Sequence, residues 1–207
     1  MLALWCVDAG VAIQMPYVLS HPVNTSRLTL RRVESRDLDP LFTIHGDPSV
    51  TRYIPHVHGA TRVDGEAWMA RVHDRHDKQT AIQCAVVRRA TADAPEAVLG
   101  TTLLFNFEEA SGRADIGYIL GKAFWGQGYM REALTAFIDC AFNELGLRRL
   151  EATVDARNEA SNRIAQRLGF VREGLLRERW LAAGELQDIH LFALLKREWP
   201  PGSVARR

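Results

Sequence analysis

The segment Asp115-Ile-Gly-Tyr-Ile-Leu-Gly-Lys-Ala-Phe-Trp-Gly-Gln-Gly-Tyr-Met-Arg-Glu-Ala-Leu134 carries the strongest structural signal in this chain. It begins with residues that fit a buried strand, continues through the loop Trp125-Gly-Gln-Gly-Tyr129, and ends with the first turns of an amphipathic helix. A helix that follows such a loop directs free backbone N–H groups and the positive end of its dipole at one point. The stretch therefore predicts a phosphate site at the start of the helix.

Two familiar phosphate motifs do not match this loop. A third glycine at the spacing of a dinucleotide fingerprint is lacking, and the preceding strands are not a βαβ unit. No Gly-Lys-Ser/Thr sequence follows, so the loop is not a P-loop. A tight turn that only needs glycine remains the alternative, and glycine spacing alone leaves that choice open.

The residues after the loop predict a helix and a strand in succession. Apolar residues recur at helical spacing from Met130 to Leu145, and Gly146 stands where a helix-ending glycine is common. The alternating segment Leu150 to Val154 predicts a strand that is parallel to the one before the helix, because a helix connects the two. A second helix and two final strands follow, at Asn158 to Leu168, at about residues 170–180 and at 186–195.

The residues before the loop predict an antiparallel meander preceded by a strand and short helices. Short turns connect three segments of strand pattern, which are residues 81–88, 97–107 and 114–120. A first strand at Leu28 to Val33 precedes helices that Ser35 and Thr61 are expected to cap. The predicted fold class is α/β (α+β), with a mixed sheet and few helices.

Composition indicates a globular domain and argues against several classes of protein. The chain has 207 residues, of which 47% are apolar and 25% charged, and its formal net charge is +1. This charge gives no general attraction to nucleic acid or to a membrane surface. The three cysteines have neither zinc nor disulfide spacing, so Cys84 and Cys140 are expected to be core residues of a cytoplasmic protein.

One domain is expected, flanked by two short terminal segments. Residues 1–26 lack the features of a signal peptide. They are instead interpreted as an N-terminal extension that is disordered. Residues 27–199 form the domain, and residues 200–207 form a C-terminal tail. The histidines, among them His56, His58, His73 and His76, show no ligand spacing and are read as surface residues, so no metal is expected.

In their order, these elements resemble the GNAT superfamily of acetyl-CoA-dependent N-acetyltransferases, and within it the ribosomal-protein (Rim-type) group. The similarity runs from about Arg27 to Glu198. It implies a mixed, mostly antiparallel, splayed β-sheet flanked by helices on both faces. The matching segments are Leu28-Thr-Leu-Arg-Arg32, Asp47-Pro-Ser-Val-Thr-Arg-Tyr53, Asp115-Ile-Gly-Tyr-Ile-Leu120, Trp125-Gly-Gln-Gly-Tyr-Met-Arg-Glu-Ala133, Asn158-Glu-Ala-Ser-Asn-Arg-Ile164 and Leu168-Gly-Phe-Val-Arg-Glu-Gly174.

The resemblance implies a site for acetyl-CoA. Its pantetheine arm would pair with the backbone near Ile119 and Leu120, and Asn158 would hold the same arm or act only as a helix cap. Arg163 is favoured slightly over Arg167 as a phosphate contact. The loop residue that is often Arg or Gln in the family is Ala123 here, so backbone amides must bind the pyrophosphate, with Lys122 or Arg131 nearby. The expected loop contacts are Trp125, Gly126, Gln127, Gly128, Tyr129 and Met130.

The resemblance also implies catalytic residues. Ser161 matches the serine that replaces the usual tyrosine acid in Rim-type enzymes. Ala165 occupies the position of that tyrosine, and an alanine side chain cannot donate a proton. Asp115 is the first candidate for the general base and Glu178 is the second. An exposed strand carboxylate is the structural alternative for Asp115, and a small polar residue in a first helical turn is the alternative for Ser161.

The function predicted from these features is acetyl transfer from acetyl-CoA to a primary amine in a ternary complex. The acceptor implied by the Rim-type resemblance is a protein N-terminal α-amine, as in ribosomal-protein acetylation. A small amine, such as an antibiotic, polyamine or amino acid, is the alternative acceptor. An acyl-CoA-binding module without turnover is the alternative of another class. A homodimer is compatible with the resemblance.

Overall fold

A computed structural model describes residues 17, 19–55, 61–182 and 184–200, and eight strands of this part form one sheet. The strand order is β1-β2-β3-β4-β5-β6-β8-β7. The strands are β1 (Val23–Asn24), β2 (Leu28–Arg32), β3 (Ala81–Arg88), β4 (Ala97–Glu108), β5 (Arg113–Leu120), β6 (Arg149–Asp155), β7 (Val171–Ala182) and β8 (Glu185–Leu195).

The sheet is mixed, with one parallel pair among antiparallel neighbours. Strands β3, β4 and β5 form the predicted antiparallel meander. Strands β5 and β6 are parallel, because a helix connects them and carries the chain back across the sheet. The strand predictions are therefore confirmed in type and order.

Helices cover both faces of the sheet. The helices are α1 (Leu38–Gly46), α2 (Pro48–Thr51), α3 (Arg62–Asp77), α4 (Tyr129–Asn143) and α5 (Glu159–Arg167). Helix α4 contributes most of its residues to the larger core, which also contains Ala165 of α5. Helices α1 and α3 pack on the opposite face of the sheet and form a second core with it. Ile119 of β5 contributes its side chain to this second core. None of the helices described is long and apolar enough to cross a membrane.

The N-terminal boundary and one helix cap differ from the sequence-based expectation. Val23 and Asn24 pair with β2, and the Tyr17 ring stacks on Phe107 at 4.2 Å, so residues assigned to the extension belong to the fold. Ser35 does not cap α1. Instead it begins a 3-10 turn, in which the Glu34 backbone N–H donates to the Asp37 carboxylate at 2.8 Å.

The sheet splays between its two parallel strands. Pairing of β5 with β6 covers only three positions and ends at Asp115, opposite Glu151. Beyond that point β5 continues to Leu120, whereas β6 continues to Asp155 beside β8. The edge of β5 that faces β6 is therefore without a strand partner over residues 116–120.

Candidate active site

The loop before α4 forms a cradle of backbone N–H groups. Gly126 and Gly128 have φ values of 74° and 78°, a left-handed conformation that favours glycine. A Cβ atom on Gly126 would meet nothing within 4 Å, so conformation and not packing requires this glycine. The first backbone bond of α4 runs from Glu132 to the Gly128 carbonyl, so the N–H groups before it have no helical partner. The predicted anion site therefore has the required backbone geometry.

A network from the β1–β2 turn fixes this cradle. The Glu132 carboxylate accepts hydrogen bonds from the side chains of Thr25, Ser26 and Arg27 and from the Arg27 backbone N–H. The Arg27 guanidinium also donates to the Gln127 carbonyl at 3.1 Å and lies 4.3 Å from the Tyr129 ring centroid. Burial acts to raise the pKa of Glu132, but these hydrogen bonds outweigh burial and lower it.

The sequence analysis missed Arg27 and Glu132 as contributors to the site. An acidic residue in the first turn of α4 is usually explained by the helix dipole alone. The partner of Glu132 lies more than a hundred residues away in the chain, so no local pattern connects them.

A cavity of about 770 Å³ lies beside the cradle. Gln127 and Gly128 line it, together with the guanidinium-bearing residues Arg131 and Arg167. Arg163, which the sequence analysis favoured for phosphate, instead pairs with Glu159 at 2.8 Å on the exposed side of α5. Of these two arginines on α5, only Arg167 borders the cavity.

Helix α5 begins at the open side of the splay. The Asn158 side-chain oxygen accepts a hydrogen bond from the Ser161 backbone N–H at 3.1 Å, so Asn158 acts as the N-cap. Asn162 donates to the backbone carbonyls of Asp155 and Asn158 and contacts His190 Nδ1 at 2.7 Å. These bonds fix the N-terminus of α5 against β6 and β8.

Tyr118 is a second hydroxyl group beside Ser161. It follows Asp115 on β5, past the last pair with β6, and it packs against the core beneath α4. Burial raises its pKa to about 12, and the nearby Ser161 hydroxyl opposes that rise. No group within the described residues makes a well-formed hydrogen bond to the Tyr118 hydroxyl or to Thr102 Oγ1, its neighbour across β4.

Such buried hydroxyls without partners are costly in a folded protein. Tyr118 lies on the part of β5 that has no partner on the β6 side, where a bound molecule could reach the strand. Sequence reasoning missed Tyr118, because its neighbours made it read as one more apolar strand residue.

Comparison with known proteins identifies the family. A family model described as "Acetyltransferase (GNAT) domain" matches residues 27–171. The chain belongs to the GNAT acetyltransferase family. It is therefore an acyl-CoA-dependent acetyltransferase.

Several known proteins are similar to this GNAT domain, and the similarity extends over different shares of the chain. The uncharacterized N-acetyltransferase p20 of Bacillus licheniformis is 35% identical over 175 residues, covering 84% of this chain and 96% of the relative. The ribosomal protein uS5-alanine N-acetyltransferase of Escherichia coli is 36% identical over 87 residues, 42% of this chain and 45% of the relative. The crystal structure of a GCN5-related N-acetyltransferase from Brucella melitensis covers 89% of this chain and 83% of its own, at 25% identity and a TM-score of 0.75.

The two candidate bases of this GNAT domain lie on different strands. Asp115 stands at the apex of the splay, where burial raises its pKa against the opposing effects of Asn106 and Arg113. Glu178 lies on β7, exposed at a bulge with φ of 51°, and its N–H donates to Asp188. Strands β6 and β8 separate β7 from β5, roughly 14 Å between strand axes. The structure thus does not bring the two carboxylates together.

The backbone expected to receive pantetheine is partly engaged already. The Trp125 indole N–H donates to the Leu120 carbonyl at 2.8 Å, which ties the end of β5 to the loop before α4. Ile119 directs its side chain into the opposite core and leaves its backbone at the strand edge. The Gln127 side chain donates to the Ala123 carbonyl, so it braces the loop from within.

A smaller cavity of about 240 Å³ lies on the face of the sheet opposite α4. Gly117 and Ile119 of β5 form part of its floor, with Thr101 of β4 beside them. Helix α3 forms a wall through Trp68, Val72 and two arginines, Arg71 and Arg75. The two cavities therefore lie on opposite sides of the sheet that carries the free β5 edge.

The cysteines and histidines contribute no metal site within the described residues. Cys84 and Cys140 are buried and free, as expected for core residues, and burial raises the pKa of Cys84 to about 12. His73 is half-buried rather than a surface residue, and its Nε2 contacts the Val33 carbonyl at 3.1 Å. The positions of His56 and His58 lie outside the described residues.

Proposed function

We propose that this GNAT enzyme acetylates a protein N-terminal α-amine, with acetyl-CoA as the acetyl donor. The observation that carries the proposal is the pair of cavities on opposite faces of the sheet, one beside the cradle and the other over the unpaired end of β5. One lies beside an anion cradle and the other opens at exposed side chains of α3, through which a peptide could extend. The name of the Escherichia coli relative supports an α-amine acceptor.

The residues present fit acetyl-CoA. The N–H groups of residues 126–130 would bind its pyrophosphate, because the left-handed Gly126 has open space in front of it and the Arg27 guanidinium lies near Gly128. Arg131 and Arg167 would meet further phosphate charge. Asn158 and the edge of β5 at Ile119 would hold the pantetheine arm. Acetyl-CoA would supply the activated acetyl thioester. The protein would supply the groups that bind the substrates and transfer protons.

Ser161 is the proton donor in this proposal, with Tyr118 behind it. Each hydroxyl faces the same space at the N-terminus of α5, where the dipole favours a developing negative charge. Tyr118 stays protonated throughout the working pH range because its pKa is raised to about 12. It can therefore donate a hydrogen bond to Ser161 or to the leaving sulfur without losing its proton.

Asp115 is the base in this proposal. An α-amine has a pKa of about 7.7–8.0, so near neutral pH only a modest base is needed to obtain the neutral form. The raised pKa of Asp115 and its place at the apex of the splay suit that role. Glu178 stays the second candidate and would require the acceptor to approach along β7.

Release of free thiol from acetyl-CoA tests the function. Purified protein is supplied with peptides that have free N-termini, and with the same peptides N-acetylated beforehand as matched controls. We expect thiol release and a mass increase of one acetyl group only with free N-termini. Release with polyamines or antibiotics but not with peptides would favour the small-amine acceptor.

A binding measurement separates the enzyme from a module without turnover. Acetyl-CoA should raise the melting temperature of the protein, because a ligand that binds only the folded state stabilises it. Stabilisation without thiol release across peptides and small amines would favour the binding module. A homodimer and a cytoplasmic location remain predictions.

A further inference from the structure

We propose that the acceptor carries negative charge, a carboxylate on its second or third residue, close to the amine that is acetylated. The proposal rests on the function given above and specifies the substrate class of its acceptor cavity. It concerns the cavity of about 240 Å³ on the α3 side of the sheet.

The location of this cavity makes it the acceptor side. Its floor includes Gly117 and Ile119, which belong to the part of β5 that has no partner on the β6 side. The cradle lies on the other face, at the N-terminus of α4. A donor bound in the splay would thus present its reactive end to the cavity floor, two residues beyond Asp115.

The charged groups that line this cavity are all basic. Arg71 and Arg75 stand four residues apart on α3, so both side chains project from one face of the helix. His45 of α1 also lines the cavity, and its ring centroid lies 4.9 Å from that of Trp68 in a tilted arrangement. Among the described residues that line the cavity there is no carboxylate.

Within the described residues, the two arginines differ from Arg62 of α3, and from Lys78 just after it, in making no ion pair. Arg62 pairs with Asp39 at 2.8 Å, and Lys78 pairs with Asp74 at 2.9 Å. Neither Arg71 nor Arg75 makes an ion pair with a carboxylate in the described part of the chain, and Arg71 acts on Asp64 only at longer range. Neither charge is therefore neutralised by a direct ion pair with a described carboxylate beside the cavity.

This electrostatic arrangement selects among the acceptor classes. A polyamine would bring further positive charge against Arg71 and Arg75, which costs free energy. An N-terminal segment with an acidic second or third residue would place its amine over Gly117 and its carboxylate toward α3. Guanidinium groups bind carboxylates in a planar, two-point geometry, which suits this position.

Binding of two matched peptides tests the inference without turnover. Ala-Asp-Glu-Gly-Trp amide and Ala-Lys-Lys-Gly-Trp amide differ only at their second and third residues and lack a C-terminal carboxylate. Calorimetry in the presence of saturating CoA gives their affinities. We expect the acidic peptide to bind about fivefold to twentyfold more tightly. The expected ratio is moderate because ion pairs between exposed arginines and carboxylates contribute little free energy of binding. The ratio should fall toward one as salt increases.

A double variant assigns the preference to α3. Arg71→Ala with Arg75→Ala should remove the difference between the two peptides, since alanine preserves the helix. Arg36→Ala with Arg197→Ala removes the same charge outside the cavity and should leave the preference intact.

Three results would overturn the inference: equal binding of both peptides, no detectable binding of the acidic peptide, or a preference that survives in the Arg71/Arg75 double variant. Acetyl transfer to either peptide is measured separately. Transfer without charge preference would leave the proposed function standing and remove only this inference.

Discussion

At the scale of single residues, the buried hydroxyl of Tyr118 is the most informative group of the candidate site. Its hydroxyl is buried without a well-formed hydrogen bond, next to Ser161 and opposite the equally isolated hydroxyl of Thr102. A protein that only needed to fill this space would be better served by phenylalanine. The phenol therefore points to a function in the complex with substrates.

Tyr118→Phe should lower kcat about tenfold while leaving the free energy of unfolding unchanged or slightly higher. Removing a buried hydroxyl that lacks a partner relieves a desolvation cost, whereas removing a satisfied one would destabilise the protein. Denaturant unfolding and steady-state kinetics on the same preparation give both quantities. A loss of stability with unchanged kcat would show that Tyr118 is structural. Ser161→Ala serves as the reference for a variant that lowers kcat.

At the scale of elements, the active site depends on contacts between segments that are distant in sequence. The turn between β1 and β2 holds the start of α4 through Glu132, and the cradle loop is held at Gln127 by the same Arg27. The edge of β5 is positioned from its other side by β4, where Gly100 lies opposite Leu120. Each contact leads to a prediction about stability.

Glu132→Gln should destabilise the protein by about 1–3 kcal/mol at pH 7, because it removes a charged acceptor of several hydrogen bonds. The native pKa of Glu132 is lowered, so its contribution is present above the unfolded pKa of about 4.3 and is lost as pH falls through the native value. The difference between wild type and variant should therefore shrink as pH falls below about 4.3 and vanish once pH lies below the lowered native pKa. Acetyl-CoA should also bind more weakly to the variant. Urea unfolding as a function of pH tests the first expectation, and a difference that persisted in acid would contradict it.

Gly100→Ala should destabilise the protein by more than about 2 kcal/mol, as overpacking does in well-packed structure. A Cβ atom at this position would lie 2.0 Å from the Ile119 carbonyl oxygen, so β4 and β5 would have to separate. Gly174→Ala is the matched control, because a Cβ atom there meets nothing within 4 Å. Thermal unfolding of the two variants compares them directly, and equal melting temperatures would refute the role given to Gly100.

On the scale of the whole molecule, the domain includes residues that precede the segment matched by the family model. Tyr17 stacks on Phe107, Val23 and Asn24 extend the sheet, and Thr25 and Ser26 bond to Glu132. The sequence analysis set the boundary at residue 27, because the family resemblance begins at about Arg27. A two-residue strand becomes visible only through its pairing.

A chain that begins at Arg27 should therefore melt several degrees below one that begins at Pro16. The difference reports on residues 17–26, whose loss removes a ring stack, a strand pair and part of the Glu132 network. A shift of about 4 °C corresponds to roughly 1–2 kcal/mol in a domain of this size. Identical melting temperatures of the two chains would show that these contacts contribute nothing to stability.

Local patterns were enough to predict most of the helices and strands in order, the need for glycine in the cradle loop, a candidate N-cap at Asn158 and a resemblance to an acetyltransferase family. These features depend on neighbours within a few residues, where periodicity, glycine and capping chemistry act. Contacts across the fold, which no local pattern indicates, bring Arg27 to the cradle and Tyr118 beside Ser161. The same contacts place Arg167, and not Arg163, at the cavity beside the cradle, and put Asp115 and Glu178 on separate strands. The physical reason is that charge, burial and hydrogen bonding depend on distances across the sheet, which strand pairing sets and sequence separation does not.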